Sequence, residues 1–126
     1  MFDLFLVFIG AGIGGILRFV LGSLVYSYTG RGFPYGTLVI NLTGSFLMGF
    51  LYVLITQKFE DLTPELTSLF LVGILGGYTT FSSFSIETLR LFQDGKIFYG
   101  FMNVFISTVF GILLAYAGFI LAKKIS

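Results

Sequence analysis

Four apolar stretches, each of about 20 residues or more, constrain this chain more than any other feature. They run roughly over residues 4–28, 36–57, 66–91 and 97–122. A hydrocarbon core of ~30 Å is crossed by about 20 helical residues at ~1.5 Å each, so each stretch is long enough to span it. The breakers and charges fall between them: Gly30-Arg31-Gly32-Phe33-Pro34, then Lys58-Phe59-Glu60-Asp61-Leu62-Thr63-Pro64-Glu65, then Gln93-Asp94-Gly95-Lys96. The 126 residues therefore read as a single all-α membrane domain, 1–126, with four transmembrane helices. Charge agrees. Only 10% of residues are charged, against about 25% in soluble domains, so there is too little polar surface for water. The start carries Asp3 where a cleaved leader would be basic, so residues 4–28 read as a retained span.

The residue inventory removes whole classes of chemistry. There is no cysteine and no histidine, which excludes disulfides, thiol catalysis, zinc clusters and a Ser-His-Asp triad. We expect no enzyme. A net charge of +1 offers no basic patch, so no nucleic-acid partner is expected. Gly10-Ala11-Gly12-Ile13-Gly14-Gly15 matches a dinucleotide-binding loop, but the acid such a site needs about 20 residues on is absent. Small residues that let membrane helices approach closely explain these glycines better. Gly73 and Gly77 repeat the spacing in the third span, and Ser107, Gly111, Ala115, Gly118 and Ala122 extend it along the fourth. The second span lacks an extended stripe of this kind.

Orientation is weakly encoded. Four spans put both termini and the middle loop on one side, with Lys58, Lys123 and Lys124. The opposite side holds Arg31, Arg90 and Lys96, with Arg18 inside the first span but nearer that end. The bias of Lys and Arg that normally fixes topology is almost absent. Insertion one way, or both ways with inverted copies pairing, is open on this count. Four thin helices enclose little space, so a transport role calls for an oligomer.

Polar residues within spans are costly and face protein or water. Thr37, Asn41 and Ser45 recur every four residues and share one helix face, as do Asn103 and Ser107. The densest set is Gly76-Gly77-Tyr78-Thr79-Thr80-Phe81-Ser82-Ser83-Phe84-Ser85. Paired glycines and threonines are weak helix formers. Either the helix breaks there and frees backbone groups at mid-membrane, or it continues with hydroxyls bonded to their own i−4 carbonyls; the first is favoured. Phe81 and Phe84 share a face, and a ring edge carries positive potential suited to a small anion. Glu87 and Arg90, three apart, suit pairing at the membrane edge. Arg18 suits a structural charge or a vestibule that draws anions in.

These motifs resemble those of the Fluc-type (CrcB family) fluoride channels over almost the whole chain. The resemblance rests on Gly14-Gly15-Ile16-Leu17-Arg18, on Gly36-Thr37-Leu38-Val39-Ile40-Asn41-Leu42, and most specifically on Gly76–Ser85 followed by Glu87. It implies an antiparallel, dual-topology homodimer in the cell membrane, with the third helix broken in mid-membrane. It implies a structural, non-transported sodium ion at the dimer centre, held by backbone carbonyls of Gly76 and Thr79. It implies two fluoride pathways lined by Asn41, Phe81 and Phe84, with Ser82, Ser85 and Ser107 as further polar positions. Asn103 and Tyr78 stand where relatives vary. The expected function is passive fluoride export. The alternative is a proton-coupled exporter of small molecules or fluoride with a similar design. Such multidrug exporters carry an acid within the first span, where this chain has only Asp3 at the edge, and a fluoride–proton exchanger would have to use Glu87.

Overall fold

The computed structural model describes residues 1–126. Helix α1 is Phe2–Thr29, α2 is Tyr35–Lys58 and the closing helix, α5, is Ile97–Ile125. Between α2 and α5 lies a composite segment. A 3₁₀ turn at Glu60–Leu62 leads into α3 (63–78), which starts α-helical with Pro64 in its first turn, where a missing amide costs nothing. It widens to a π-helix over Thr67–Leu75 and returns to α geometry for Gly76–Tyr78. Thr79 (φ −81°, ψ 159°) and Thr80 (φ −152°, ψ 120°) are extended, and α4 (Phe81–Gln93) follows. Four helical stretches are long and apolar enough to cross a membrane, the third being 60–93.

The turn from α4 to α5 shows how little sequence a tight reversal needs. Gly95 takes φ 77°, a left-handed conformation open to glycine at no steric cost. Its amide bonds to Phe92 O at 3.1 Å, and the Lys96 amide reaches Leu91 O at 2.8 Å. This is the paired-bond helix ending that satisfies the last carbonyls.

Two helix pairs make up most of the bundle: α1 lies along α3, and α2 lies along α5. The first pair meets through the glycines expected to do so. A Cβ on Gly73 would stand 2.9 Å from the Gly10 Cα, and one on Gly14 would run into Ile74 O. Backbone thus touches backbone along this seam. The contact runs along the π-helical stretch and on to Gly77 and Tyr78. The second pair also packs closely, through Gly118 of the stripe expected along α5 and a single glycine of α2, Gly49. A Cβ on Gly49 would strike Ala115 O, and one on Gly118 would strike Phe46 O. Of the α2 glycines only Gly49, five residues past Gly44 and so off the four-residue step, meets α5; Gly36 faces the Tyr26 ring and Gly44 the Thr79 side chain.

The interior is small: Ile40, Ile55, Leu71, Leu75 and Tyr78 form the buried cluster. The outer surfaces of α1 and α5 carry exposed Phe8, Phe19, Phe98 and Ile112. Apolar residues facing outward along whole helices belong against lipid or another membrane-embedded chain.

Candidate functional site

The extended residues Thr79 and Thr80 would leave backbone polar groups unpaired unless something replaced the helical ladder. Asn41, on α2, replaces part of it. Its Nδ2 donates to Thr80 O at 2.9 Å, and the Thr80 amide donates to Asn41 Oδ1 at 2.8 Å. One side-chain amide thus holds one residue's backbone from both sides. Thr80 in turn caps α4: its hydroxyl accepts from the Ser83 amide at 3.1 Å. Such a cap satisfies one of the free amides of a helix start. Tyr78 is buried, and its hydroxyl lies 2.9 Å from Thr43 Oγ1, fixing the end of α3 against α2. Gly44 makes room here, since a Cβ would collide with the Thr79 side chain.

These diversions free particular carbonyls. In a continuous helix the Thr80 amide would serve Gly76 O, and the Ser83 amide would serve Thr79 O. Both amides are engaged elsewhere, with Asn41 and with the Thr80 hydroxyl. The Thr80 carbonyl, by contrast, is taken by Asn41. No group of three His, Cys, Asp or Glu side chains gathers anywhere in the chain. A cation at this junction would therefore be met by carbonyl oxygen, which suits a hard ion.

Beside the junction lies an open groove of about 330 Å³. Asn41 and Ser45 line it from α2, Thr79 and Thr80 from the junction, Phe81 and Phe84 from α4, and Ser107 and Thr108 from α5. The Phe81 and Phe84 rings lie 5.7 Å apart, tilted by 44°. Phe81 is 79% exposed, so one wall of the groove faces outward. The first turn of α4, the positive end of its dipole, borders the same space. No Lys, Arg, Asp or Glu lines it.

A hydrogen-bonded chain backs the groove. Ser107 Oγ is 3.4 Å from Asn103 Oδ1, Asn103 Nδ2 donates to Thr88 Oγ1 at 2.9 Å, and Thr88 Oγ1 donates to Phe84 O at 2.7 Å. Asn103 is only 2% exposed. It is a pin between α5 and α4, and Thr88 is its partner, a residue the sequence reading did not single out. Thr43 and Thr108 were missed in the same way, and Tyr78 was noted only as a position where relatives vary, without its bond to Thr43. The four-residue spacing of Asn103 and Ser107 was the available signal, and it marked the face without naming what the face meets.

Of the residues proposed from sequence, Asn41, Thr79, Phe81, Phe84 and Ser107 converge on the groove. Gly76 is not part of the groove's lining; it is exposed at the end of α3, with helical backbone angles. Ser82 and Ser85 stand outside it and are exposed; Ser82 Oγ is 3.3 Å from Thr80 Oγ1, and Ser85 Oγ donates to Phe81 O at 2.9 Å. Arg18 is half-buried on α1, apart from the groove. Glu87 departs from expectation: its bonded partner is Thr37, whose hydroxyl donates to Oε1 at 2.9 Å, and not Arg90. Thr37 is buried on α2 directly across from α4, so it offers a hydroxyl that needs an acceptor where Arg90 turns to the exposed end.

Residues 5–119 match the family model described as CrcB-like protein, Camphor Resistance (CrcB). The chain is 44% identical over 124 residues to a fluoride-specific ion channel FluC of Methylococcus capsulatus, covering 98% of this chain and 54% of that relative. It thus spans about half the length of the Methylococcus protein. It is 42% identical over 123 residues to a fluoride-specific ion channel FluC of Coxiella burnetii, covering 98% of this chain and 99% of the relative. The corresponding protein of Magnetococcus marinus is 46% identical over 120 residues, covering 94% and 96%.

Proposed function

The chain belongs to the CrcB-like family and is a multi-pass membrane protein, and on that premise we propose that it conducts fluoride passively across the cell membrane as an antiparallel homodimer. The observation that carries this reading is the groove. It joins hydroxyls, an amide, two phenylalanine rings and a helix N-terminus, with no charged side chain among them. A small anion leaving water must recover its hydrogen bonds. Ser45 has a hydroxyl bonded to nothing else, Ser107 has one held only by a long 3.4 Å bond to Asn103, and Asn41 has a second amide hydrogen beyond the one committed to Thr80, whereas the Thr108 hydroxyl is spent on Val104 O. The edges of Phe81 and Phe84 and the first turn of α4 add positive potential without a fixed charge. An anion held this way is held loosely enough to leave.

A second copy, inverted, supplies the missing wall over the exposed face of Phe81. Ser82 and Ser85, both exposed on α4, enter the pathway from that covered face. In the dimer the two Thr79–Thr80 junctions meet at mid-membrane, and the near-equal Lys and Arg counts at the two ends suit insertion both ways. Gly76 and Thr79 would hold a structural sodium ion there through the carbonyls freed at the junction. When bound, the ion supplies fixed positive charge close to both pathways.

Fluoride enters cells as its neutral acid and dissociates inside. A negative interior then drives the anion outward with about 2.3 kcal/mol per charge per 100 mV. No coupling step is needed, and no acid lies in the groove to carry a proton. The test is efflux from potassium-fluoride liposomes, followed with a fluoride electrode after valinomycin is added, with sodium present. Rapid voltage-driven fluoride release without matching chloride release is expected. No release from confirmed dimers would overturn the reading.

A further inference from the structure

A second crevice lies at the end of the bundle where the α1–α2 loop and the α4–α5 turn come together. Its volume is about 190 Å³, and Tyr26, Arg31, Glu87, Arg90, Asp94 and Lys96 line it. We propose that it is a binding site for the headgroup of an aminophospholipid, a phosphate carrying a primary ammonium. The proposal rests on the chain lying in a bilayer and not on what the chain conducts.

Depth is the first argument. The surrounding surface is aromatic: Phe33 lies 4.9 Å from Tyr35 and 6.1 Å from Tyr99, ring to ring. Tyrosines gather at the level of lipid headgroups. Exposed Leu24, Ile97 and Phe98 sit one helical turn or less from the crevice residues in sequence, an apolar surface for acyl chains.

Charge is the second. Arg31, Arg90 and Lys96 give three cations, and guanidinium forks suit phosphate oxygens. The Arg31 guanidinium is already set over the Tyr26 ring, 4.5 Å from its centre. Glu87 and Asp94 add two carboxylates to the same crevice. Those would repel a bare phosphate but suit an ammonium attached to one.

The third is an unmet bond. Glu87 Oε1 accepts from Thr37, whereas Glu87 Oε2 is buried and has no partner. A buried acceptor left so is costly, and a turn of the Glu87 carboxylate toward the crevice it lines would give that oxygen an ammonium as donor. The volume falls below the roughly 300–1,000 Å³ of sites for drug-sized ligands, which fits a headgroup and not a whole amphiphile.

Native mass spectrometry of the purified full chain, with short-chain lipids added in turn, tests this. Phosphatidylethanolamine should bind about tenfold tighter than phosphatidylcholine, whose quaternary ammonium has no N–H to give, since one charge-assisted bond is worth roughly that factor. Phosphatidylglycerol, lacking the ammonium, should also fall behind. Glu87→Gln and, at the exposed turn, Asp94→Asn should each narrow the ethanolamine preference. The Arg31→Gln/Arg90→Gln pair should weaken all three lipids. Equal binding of the three lipids by the native chain would overturn the proposal, as would tightest binding of phosphatidylglycerol, the mark of a purely basic site. Soluble phosphoethanolamine binding as tightly as the lipid would overturn the membrane as the source of the ligand.

Discussion

Two contacts of α3 with its neighbours follow opposite rules. Where α3 meets α1, at Gly10, Gly14, Gly73 and Gly77, side chains have been removed and backbones touch. Where α3 ends against α2, at Asn41, Thr43, Tyr78 and Thr80, side chains have been added and the contact is made of hydrogen bonds. The first needs nothing from its surroundings and leaves nothing to bind. The second keeps donors and freed carbonyls next to an open groove. In a membrane, where burying apolar surface scarcely favours one neighbour over another, close packing carries stability and the polar junction is left free for chemistry.

That division is broken most severely at the seam. Gly73→Val puts a branched side chain onto the α1 backbone, at a cost of about 3 kcal/mol or more. Loss of folded protein on size-exclusion chromatography is expected, and a folded, active Gly73→Val would mean that the seam is looser than its contacts. Asn41→Ala comes next. It strips both partners from Thr80, about 1–3 kcal/mol for each group left unpaired. Fluoride flux should collapse and thermal stability should fall together. Asn41→Asp keeps the acceptor for the Thr80 amide but sets a carboxylate against the Thr80 carbonyl, so it should be no better than alanine. If aspartate restored flux, the clamp would matter through the Thr80 amide alone.

Phe81→Ile and Phe84→Ile sharpen the comparison from the groove side. Flux should drop in each while the melting temperature moves little, because Phe81 is mostly exposed on the chain and Phe84 only partly buried. Unchanged flux in both would remove the rings from the pathway. Thr88→Val, nearly isosteric, should cost about 1–2 kcal/mol by leaving the buried Asn103 amide unmet, with a smaller change in flux. Ser85→Ala should be smallest, within about 0.5 kcal/mol, since the hydroxyl is exposed and serves only its own helix. Flux should still fall modestly, since Ser85 enters the pathway from the covered face, and unchanged flux would remove it from there.

Local pattern made some of this legible in advance. Apolar runs located the four helices to within a few residues, except that the third helical stretch begins at 60, several residues before the apolar run. The Gly10/Gly14 and Gly73/Gly77 spacings located the first seam. The polar face of Thr37, Asn41 and Ser45 was visible as a period, and all three residues do face α4 or the groove. What stayed hidden was the partner. Asn41 reaches a residue 39 positions away and Thr37 one 50 positions away, and no periodicity reports on such separations. The assignment of Glu87 to Arg90 failed for that reason: the nearby charge was visible in sequence and the distant hydroxyl was not. The weak helix formers at Gly76-Gly77 and Thr79-Thr80 marked a region, but the residues that take extended angles depend on Asn41, which lies on another helix.

The Asn41 clamp also has a mechanical side. It ties the junction to α2 at hydrogen-bond length in two places, so Thr80 follows any movement of that helix without slack. Helix α2, with 24 residues, is about 36 Å long, and α5, with 29, is about 44 Å, both longer than a ~30 Å hydrocarbon core. Helices with such surplus length tilt, and the tilt changes with the lipid around them. Bilayer thickness is thereby transmitted as a lever arm through α2 to the two residues on which the groove is hung.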